Sequence, residues 1–85
     1  MAEPIRVLLV DDQSLVRSGF HMRIDSEDDM AVVGEASNGA EALEKLRTIE
    51  VDVALMDIRM PVMDGIEAAG KLRASVPDIP VVMLT

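Results

Sequence analysis

Residues 51–65, VDVALMDIRMPVMDG, contain the pattern that decides the fold. Four apolar residues at 53–56 are followed directly by Asp57, and a loop with Pro61 leads to Asp64, where we predict the start of a helix. A short apolar run bounded by acid and proline is typical of a strand buried on both faces of a parallel sheet. In such sheets the residue after the carboxyl end of a strand lies in the ligand crevice. Asp57 is therefore the first candidate for a functional residue.

The rest of the chain alternates between apolar runs and amphipathic segments. Further strands are predicted at Ile5–Val10, Met30–Ala36 and 79–84, and helices at Ser14–Asp25, after Asn38 and after Asp64. In the first helix the residues at helical spacing are Leu15, Val16, Phe20 and Ile24. Asn38 with Glu41 three residues later indicates a capping box. The alternation predicts an α/β fold, a parallel sheet of four strands with three helices on its two faces. For the strand order we take the flavodoxin-like order 2-1-3-4 as the hypothesis.

Composition limits the classes of function. The chain has 85 residues, enough for one small domain, and 49% of them are apolar, enough for a packed core. Sixteen acidic against eight basic residues give a formal net charge of −8, which opposes binding to the phosphates of nucleic acids. The sequence shows no cysteine, signal peptide or long apolar segment, so we expect a cytoplasmic protein that does not enter a membrane.

Three of the predicted strands end in oxygen-bearing side chains. Asp11 and Asp12 follow the first strand, Asp57 the third and Thr85 the fourth. In the order 2-1-3-4 these strand ends meet at one edge, where neighbouring carboxylates repel each other unless a cation neutralises them. Mg²⁺ prefers such oxygen ligands. A carboxylate beside Mg²⁺ can attack a phosphoryl group, and we expect the hydroxyl of Thr85 to hydrogen-bond to the resulting aspartyl phosphate.

Each of these residues also has a purely structural interpretation. Asp12 or Ser14 could cap the first helix, and Asp57 taken alone could be an ordinary loop acid. We interpret Asp64 as a helix cap rather than a ligand. His21 has no Cys or His partner at a metal-binding spacing, so we expect no catalytic role for it. The occurrence of acids at several strand ends together favours the functional interpretation.

These motifs closely resemble a known family. Asp11 and Asp12, the stretch LMDIRMPVMDG at 55–65 and VMLT at 82–85 look like the motifs of a response-regulator receiver domain, in the family's order and spacing. The stretch VVGEASNG at 32–39 resembles the subfamily that joins a receiver domain to a LuxR-type helix-turn-helix. The resemblance covers nearly the whole chain.

The resemblance implies a role for each matching residue. Asp57 would accept a phosphoryl group from a sensor histidine kinase and would bind Mg²⁺ together with Asp12 directly and Asp11 through water. The backbone carbonyl of Arg59 would complete the protein's ligands, and Thr85 would be the switch hydroxyl. The protein would be a phosphoryl acceptor rather than an enzyme, with at most self-catalysed phosphorylation and dephosphorylation. The lysine that family members carry after a fifth strand is not in this chain, so we expect impaired phosphorylation.

Measured against the family, residues 1–85 would form a receiver domain truncated after the fourth strand. The fourth helix, fifth strand, fifth helix and output domain would be absent, and DNA binding would require that output domain. An exposed fourth-strand edge at 81–84 would then favour homo-oligomers. The alternative function is an oligomerising or partner-binding fragment without phosphotransfer. A hydrolase is disfavoured because Arg59 stands where such enzymes usually carry a second acid, and a dinucleotide site because no G-x-G-x-x-G follows the first strand.

Overall fold

The protein forms one parallel sheet with helices on both faces. A computed structural model describes residues 3–57, 70–71, 74–75 and 78–84. The elements are β1 (Ile5–Val10), α1 (Ser14–Asp25), β2 (Met30–Ala36), α2 (Gly39–Thr48), β3 (Val53–Asp57) and β4 (Val81–Leu84). The sheet order β2-β1-β3-β4 confirms the predicted α/β fold and strand order. The predicted third helix lies mainly outside the described residues. In its region, the described residues 70–71 and 74–75 are helical. Within the described part of the chain, neither α1 nor α2 has the length and apolar character needed to cross a membrane.

Alternate residues of β1 face two separate apolar layers. The layer on the α2 side is formed by the buried residues Leu8, Val10, Ala36, Ala42, Leu46, Val51, Ala54 and Met56. The layer on the α1 side is formed by the buried residues Val7, Leu9 and Ile24. Burial on both faces explains why β1 and β3 are almost continuously apolar in sequence.

The register of the strands places the acidic residues side by side. Val10 of β1 is the Cα partner of Met56 of β3. The residues that follow them, Asp11 and Asp57, therefore lie at the same edge on strands ~4.8 Å apart. Asp57 also pairs with Leu84 of β4, so the carboxyl end of the fourth strand lies beside those of the first and third.

A bulge in β2 determines which of its side chains face α1. The pairing of β1 with β2 shifts by one residue between Val7, which pairs with Val32, and Leu8, which pairs with Gly34. A Cβ atom at Gly34 would lie 2.9 Å from Cδ1 of Ile49 and 3.2 Å from Cδ1 of Leu8, so these two side chains pack directly against the backbone at the bulge. Because one extra residue is inserted, the strand beyond the bulge presents the opposite set of side chains to each face.

Part of the apolar pattern of α1 is exposed. Leu15 and Val16 are 85% and 41% exposed, whereas Phe20 and Ile24 pack in the layer beneath the helix. Among the described elements, α1 contacts β2 and β1 but neither β3 nor β4. Only one stripe of the helix is therefore covered by the described residues.

The first turn of α2 confirms the predicted cap with one difference. Oδ1 of Asn38 accepts the backbone N–H of Glu41 at 2.9 Å. The carboxylate of Glu41 turns back to Ser37 rather than to Asn38, accepting the Ser37 hydroxyl at 2.6 Å and its N–H at 3.3 Å. The hydrogen bonds from Ser37 lower the pKa of Glu41.

The fourth strand is shorter than predicted. It begins at Val81 rather than at residue 79. Pro80 has no N–H to donate to a neighbouring strand, although its carbonyl accepts the N–H of Ala54 at 3.0 Å. β4 therefore joins β3 one residue after the proline.

Candidate acidic site

The predicted acidic residues meet at the carboxyl edge of the sheet. Asp11 and Asp12 come directly after β1, and Asp57 is the last residue of the neighbouring strand β3. Asp11 is buried, with 5% of its surface exposed. The structure thus brings together two of the predicted acids and the backbone of the third. The side chain of Asp57, together with Arg59 and Thr85, lies outside the described residues.

Three polar groups of Asp11 are hydrogen-bonded to neighbouring residues. Its N–H donates to the carbonyl of Ala36 at 3.0 Å, which joins it to β2. Its Oδ1 accepts the N–H of Gln13 at 2.9 Å, and its carbonyl accepts Nη1 of Arg17 at 2.5 Å. These three contacts fix the peptide that leads into Asp12.

The N-cap of α1 is not one of the two predicted residues. Gln13 occupies that position and makes no side-chain capping bond. Just before the helix, the side chain of Asp11 accepts the N–H of Gln13 and forms an Asx-turn. Asp12 and Ser14 are therefore not needed as caps, and the carboxylate of Asp12 is left for another use.

Asp12 has the feature expected of a cation ligand. Its Oδ1 is shielded from solvent and accepts no hydrogen bond from any of the described residues. A buried carboxylate oxygen without a partner is costly, and a divalent cation would remove that cost. Oxygen donors from Asp11, Asp12 and Asp57 are the set that Mg²⁺ prefers. Among the described side chains there is no group of three or more potential metal ligands. The residues present fit Mg²⁺.

A charged network beside this edge was missed from the sequence. Nε of Arg17 donates to Oε1 of Glu35 at 2.7 Å, and Nδ1 of His21 lies 3.0 Å from Oε2 of the same carboxylate. Nε2 of His21 lies 2.9 Å from Oδ2 of Asp25, whose Oδ1 accepts the N–H of Val32 at 2.9 Å. His21 therefore ties α1 to β2, whereas the sequence offered only helix periodicity and no signal for its distant partner.

The network shifts two pKa values in opposite directions. The hydrogen bond to Glu35 raises the pKa of His21 above its ordinary value of 6.5. Hydrogen bonds from His21 and Arg17 lower the pKa of Glu35 below 4.5. The contribution of His21 to stability is therefore complete below pH 6.5 and is lost as pH rises through its folded pKa. The contribution of Glu35 is complete above pH 4.5 and is lost as pH falls through its lowered pKa.

We expect the thermal midpoint of the chain to fall as pH rises from about 6 to about 8. His21 is the chain's only histidine and the only side chain whose ordinary pKa lies in this window. His21→Gln should flatten the profile, as thermal unfolding followed by circular dichroism at several pH values would show. Identical profiles for the two would contradict the assignment.

The opposite edge of the sheet carries a second, separate ion-pair cluster. The guanidinium of Arg6 pairs with Glu50 and with Asp52, the latter at 3.1 Å from Nη2 to Oδ1. The N–H of Arg6 also donates to Oδ2 of Asp52 at 2.8 Å. Arg6 lowers the pKa of Asp52 through these bonds. This cluster joins β1 to the start of β3 at the end away from the acidic site.

The sheet order, the helices on opposite faces and the acidic edge define a flavodoxin-like α/β protein with a candidate cation site. The model of the response regulator receiver domain matches residues 7–85. The chain belongs to this family and is the receiver domain of a two-component response regulator.

Curated relatives show the same family. Over 81 residues the chain is 49% identical to the response regulator GacA of Pseudomonas viridiflava, a match that covers 95% of this chain and 38% of the relative. It is 44% identical over 82 residues to VraR of Staphylococcus saprophyticus, covering 96% of this chain and 39% of the relative. The chain thus spans well under half the length of these relatives.

Solved structures share the fold. The response regulator domain of CheB from Thermotoga maritima is 43% identical with a TM-score of 0.83, and the match covers 95% of this chain and 61% of that one. A LuxR-family two-component response regulator from Aurantimonas is 32% identical with a TM-score of 0.88, covering 95% of this chain and 58% of that one.

Proposed function

We propose that Asp57 accepts a phosphoryl group from a sensor histidine kinase while Asp11, Asp12 and Asp57 hold Mg²⁺. The observation that carries this proposal is the shielded Oδ1 of Asp12, which accepts no hydrogen bond from the described residues and lies at the strand end beside Asp57. A shielded carboxylate oxygen without a hydrogen-bond donor destabilises the folded protein, and a bound cation would remove that cost. Membership in the receiver family supports the same function.

The transfer needs few protein groups. A carboxylate oxygen of Asp57 would attack phosphorus as the bond to the kinase's histidine nitrogen breaks, leaving the electron pair on that nitrogen. Mg²⁺, when bound, neutralises charge on the carboxylates and on the phosphoryl oxygens. The backbone carbonyl of Arg59 is proposed as a further ligand, and the hydroxyl of Thr85 as a hydrogen-bond donor to the phosphate. Asp57 would be modified rather than regenerated at once, so the chain acts as an acceptor and not as an enzyme for another substrate.

The partners follow from charge and chemistry. A phosphorylated kinase that draws on ATP implies a cytoplasmic setting. The net charge of −8 disfavours contact between this domain and DNA, so regulation of transcription by a parent protein would depend on an output domain outside these residues.

A second candidate function is self-association without phosphotransfer. In the described sheet β4 pairs with β3 on one side only, and Val82 is 46% exposed. The four residues of this strand, VVML, include no charge and no proline that would protect an edge. Homo-oligomers through this edge are compatible with either function.

The metal site is tested by replacing Asp12. Mn²⁺ binding is measured by titration, from the decrease in the electron paramagnetic resonance signal of free Mn²⁺. The wild-type chain should bind Mn²⁺, and Asp12→Ala should bind it about tenfold more weakly or worse, because a direct ligand is lost. Asp28→Ala is the control, since it removes the same charge from an exposed turn. Equal affinity of wild type and Asp12→Ala would refute the site.

A further inference from the structure

Arg17 joins three elements at the acidic edge. It lies on α1, donates through Nη1 to the carbonyl of Asp11 after β1, and donates through Nε to Glu35 of β2. Its side chain is only 19% exposed. A guanidinium presents its donors in a fixed planar fork, so binding both partners fixes their relative position.

The bulge in β2 makes this connection possible. Leu9, in the layer on the α1 side, pairs with Glu35. Without the extra residue between Val32 and Gly34, Glu35 would face the α2 side, away from Arg17. The carboxylate reaches α1 because the strand is bulged, and His21 holds its second oxygen at 3.0 Å.

The held carbonyl belongs to the peptide that carries Asp12. With its N–H, its side chain and its carbonyl all bound, Asp11 cannot rotate without breaking hydrogen bonds. The direction of the following residue, Asp12, is thereby set, and its Oδ1 is the shielded oxygen that accepts no hydrogen bond from the described residues. Contacts behind the ligands of a metal commonly orient the ligands in this way.

We infer that Arg17 is a positioning residue, which holds the Asp11–Asp12 peptide so that the carboxylate of Asp12 is oriented for Mg²⁺. The inference rests on the proposed function. Arg17 does not touch the cation in this account, because it acts through the carbonyl of Asp11. Glu35 is the anchor that keeps the guanidinium in place.

The sign of the effect separates positioning from simple electrostatics. Arg17 is a cation close to a candidate cation site, so removing its charge alone would tighten metal binding. Removing its hydrogen bond to Asp11 would weaken metal binding, since the peptide is released. A loss of affinity on removal of a positive charge is therefore the signature of positioning.

The experiment compares Mn²⁺ affinity and thermal stability in matched variants. Arg17→Met, which keeps an unbranched side chain, should weaken binding roughly tenfold. Arg17→Lys keeps the charge but not the fork and should also bind Mn²⁺ more weakly than wild type. Arg23→Met removes an exposed charge from the same helix, and Arg6→Met breaks the ion pairs at the far edge. Both controls should bind Mn²⁺ as wild type does, the second despite lower stability.

Each outcome is decisive. Wild-type or tighter affinity in Arg17→Met would overturn the inference while leaving the metal site intact, provided that Asp12→Ala still binds weakly. Failure of the wild-type chain to bind Mn²⁺ would overturn the proposed function and the inference together. If Arg17→Met does not fold, Arg17→Lys and Glu35→Gln are measured instead. Each variant keeps a side chain that can form a hydrogen bond, but each weakens the connection from Glu35 through Arg17 to Asp11. Unchanged Mn²⁺ affinity in both variants would overturn the inference.

Discussion

Asp57→Asn should abolish phosphorylation of the chain by a small acyl phosphate in the presence of Mg²⁺. The amide that replaces the carboxylate has no anionic oxygen to attack phosphorus, and it also removes a proposed metal ligand. Intact-mass spectrometry should show the mass of one added phosphoryl group in the wild type and none in the variant. Asp78→Asn, a change of the same kind at an exposed acid before β4, should be modified as the wild type is.

A mass increase that persists in Asp57→Asn would place the acceptor elsewhere.

Val82→Lys should convert the 85-residue chain from an associated state to a monomer. Val82 is 46% exposed on an edge strand, and a lysine there obstructs pairing with a second edge. Light scattering should give a mass near 9.2 kDa for the variant and a larger mass for the wild type. The expected effect is large because an unprotected apolar edge strand can form both backbone hydrogen bonds and apolar side-chain contacts with the edge strand of a second chain.

Ile5 supplies a matched control for this experiment. It is also 46% exposed, but it begins β1, which is paired with a strand on each side. Ile5→Lys should therefore leave the association unchanged. A monomeric wild-type chain, or equal dissociation by both substitutions, would contradict a specific role for the β4 edge.

The sequence was sufficient for the elements whose signal is local. The bounds of β1, α1 and β2 agree with the prediction because each is an apolar or amphipathic run bounded by polar residues. The inner face of α1 did not follow from periodicity, since Leu15 is apolar yet 85% exposed. Periodicity indicates which residues share a face of a helix, but how much of that face is covered depends on the neighbouring strands.

For the site, chain order was enough to place Asp11, Asp12 and Asp57 at one edge. It was not enough to identify Arg17, Glu35 and His21 as partners. Their contact depends on a one-residue bulge. Gly34 inside the predicted strand is a possible signal of a bulge, but it does not show which side chains change face. Arg59 and Thr85 lie outside the described residues, so their roles stay predictions.

The parallel order of the sheet also has a consequence for the time course of folding. None of the three strand pairs in the described sheet is a hairpin, so every ladder joins residues separated by at least one full crossover. Loop-closure entropy must be overcome before any of these contacts forms, which slows folding relative to a helical bundle of equal length. Because β1 lies between β2 and β3, two of the three ladders depend on it. During synthesis from the amino end, β1 is therefore available first. Its two partners, β2 and β3, are made only after the helices that precede them.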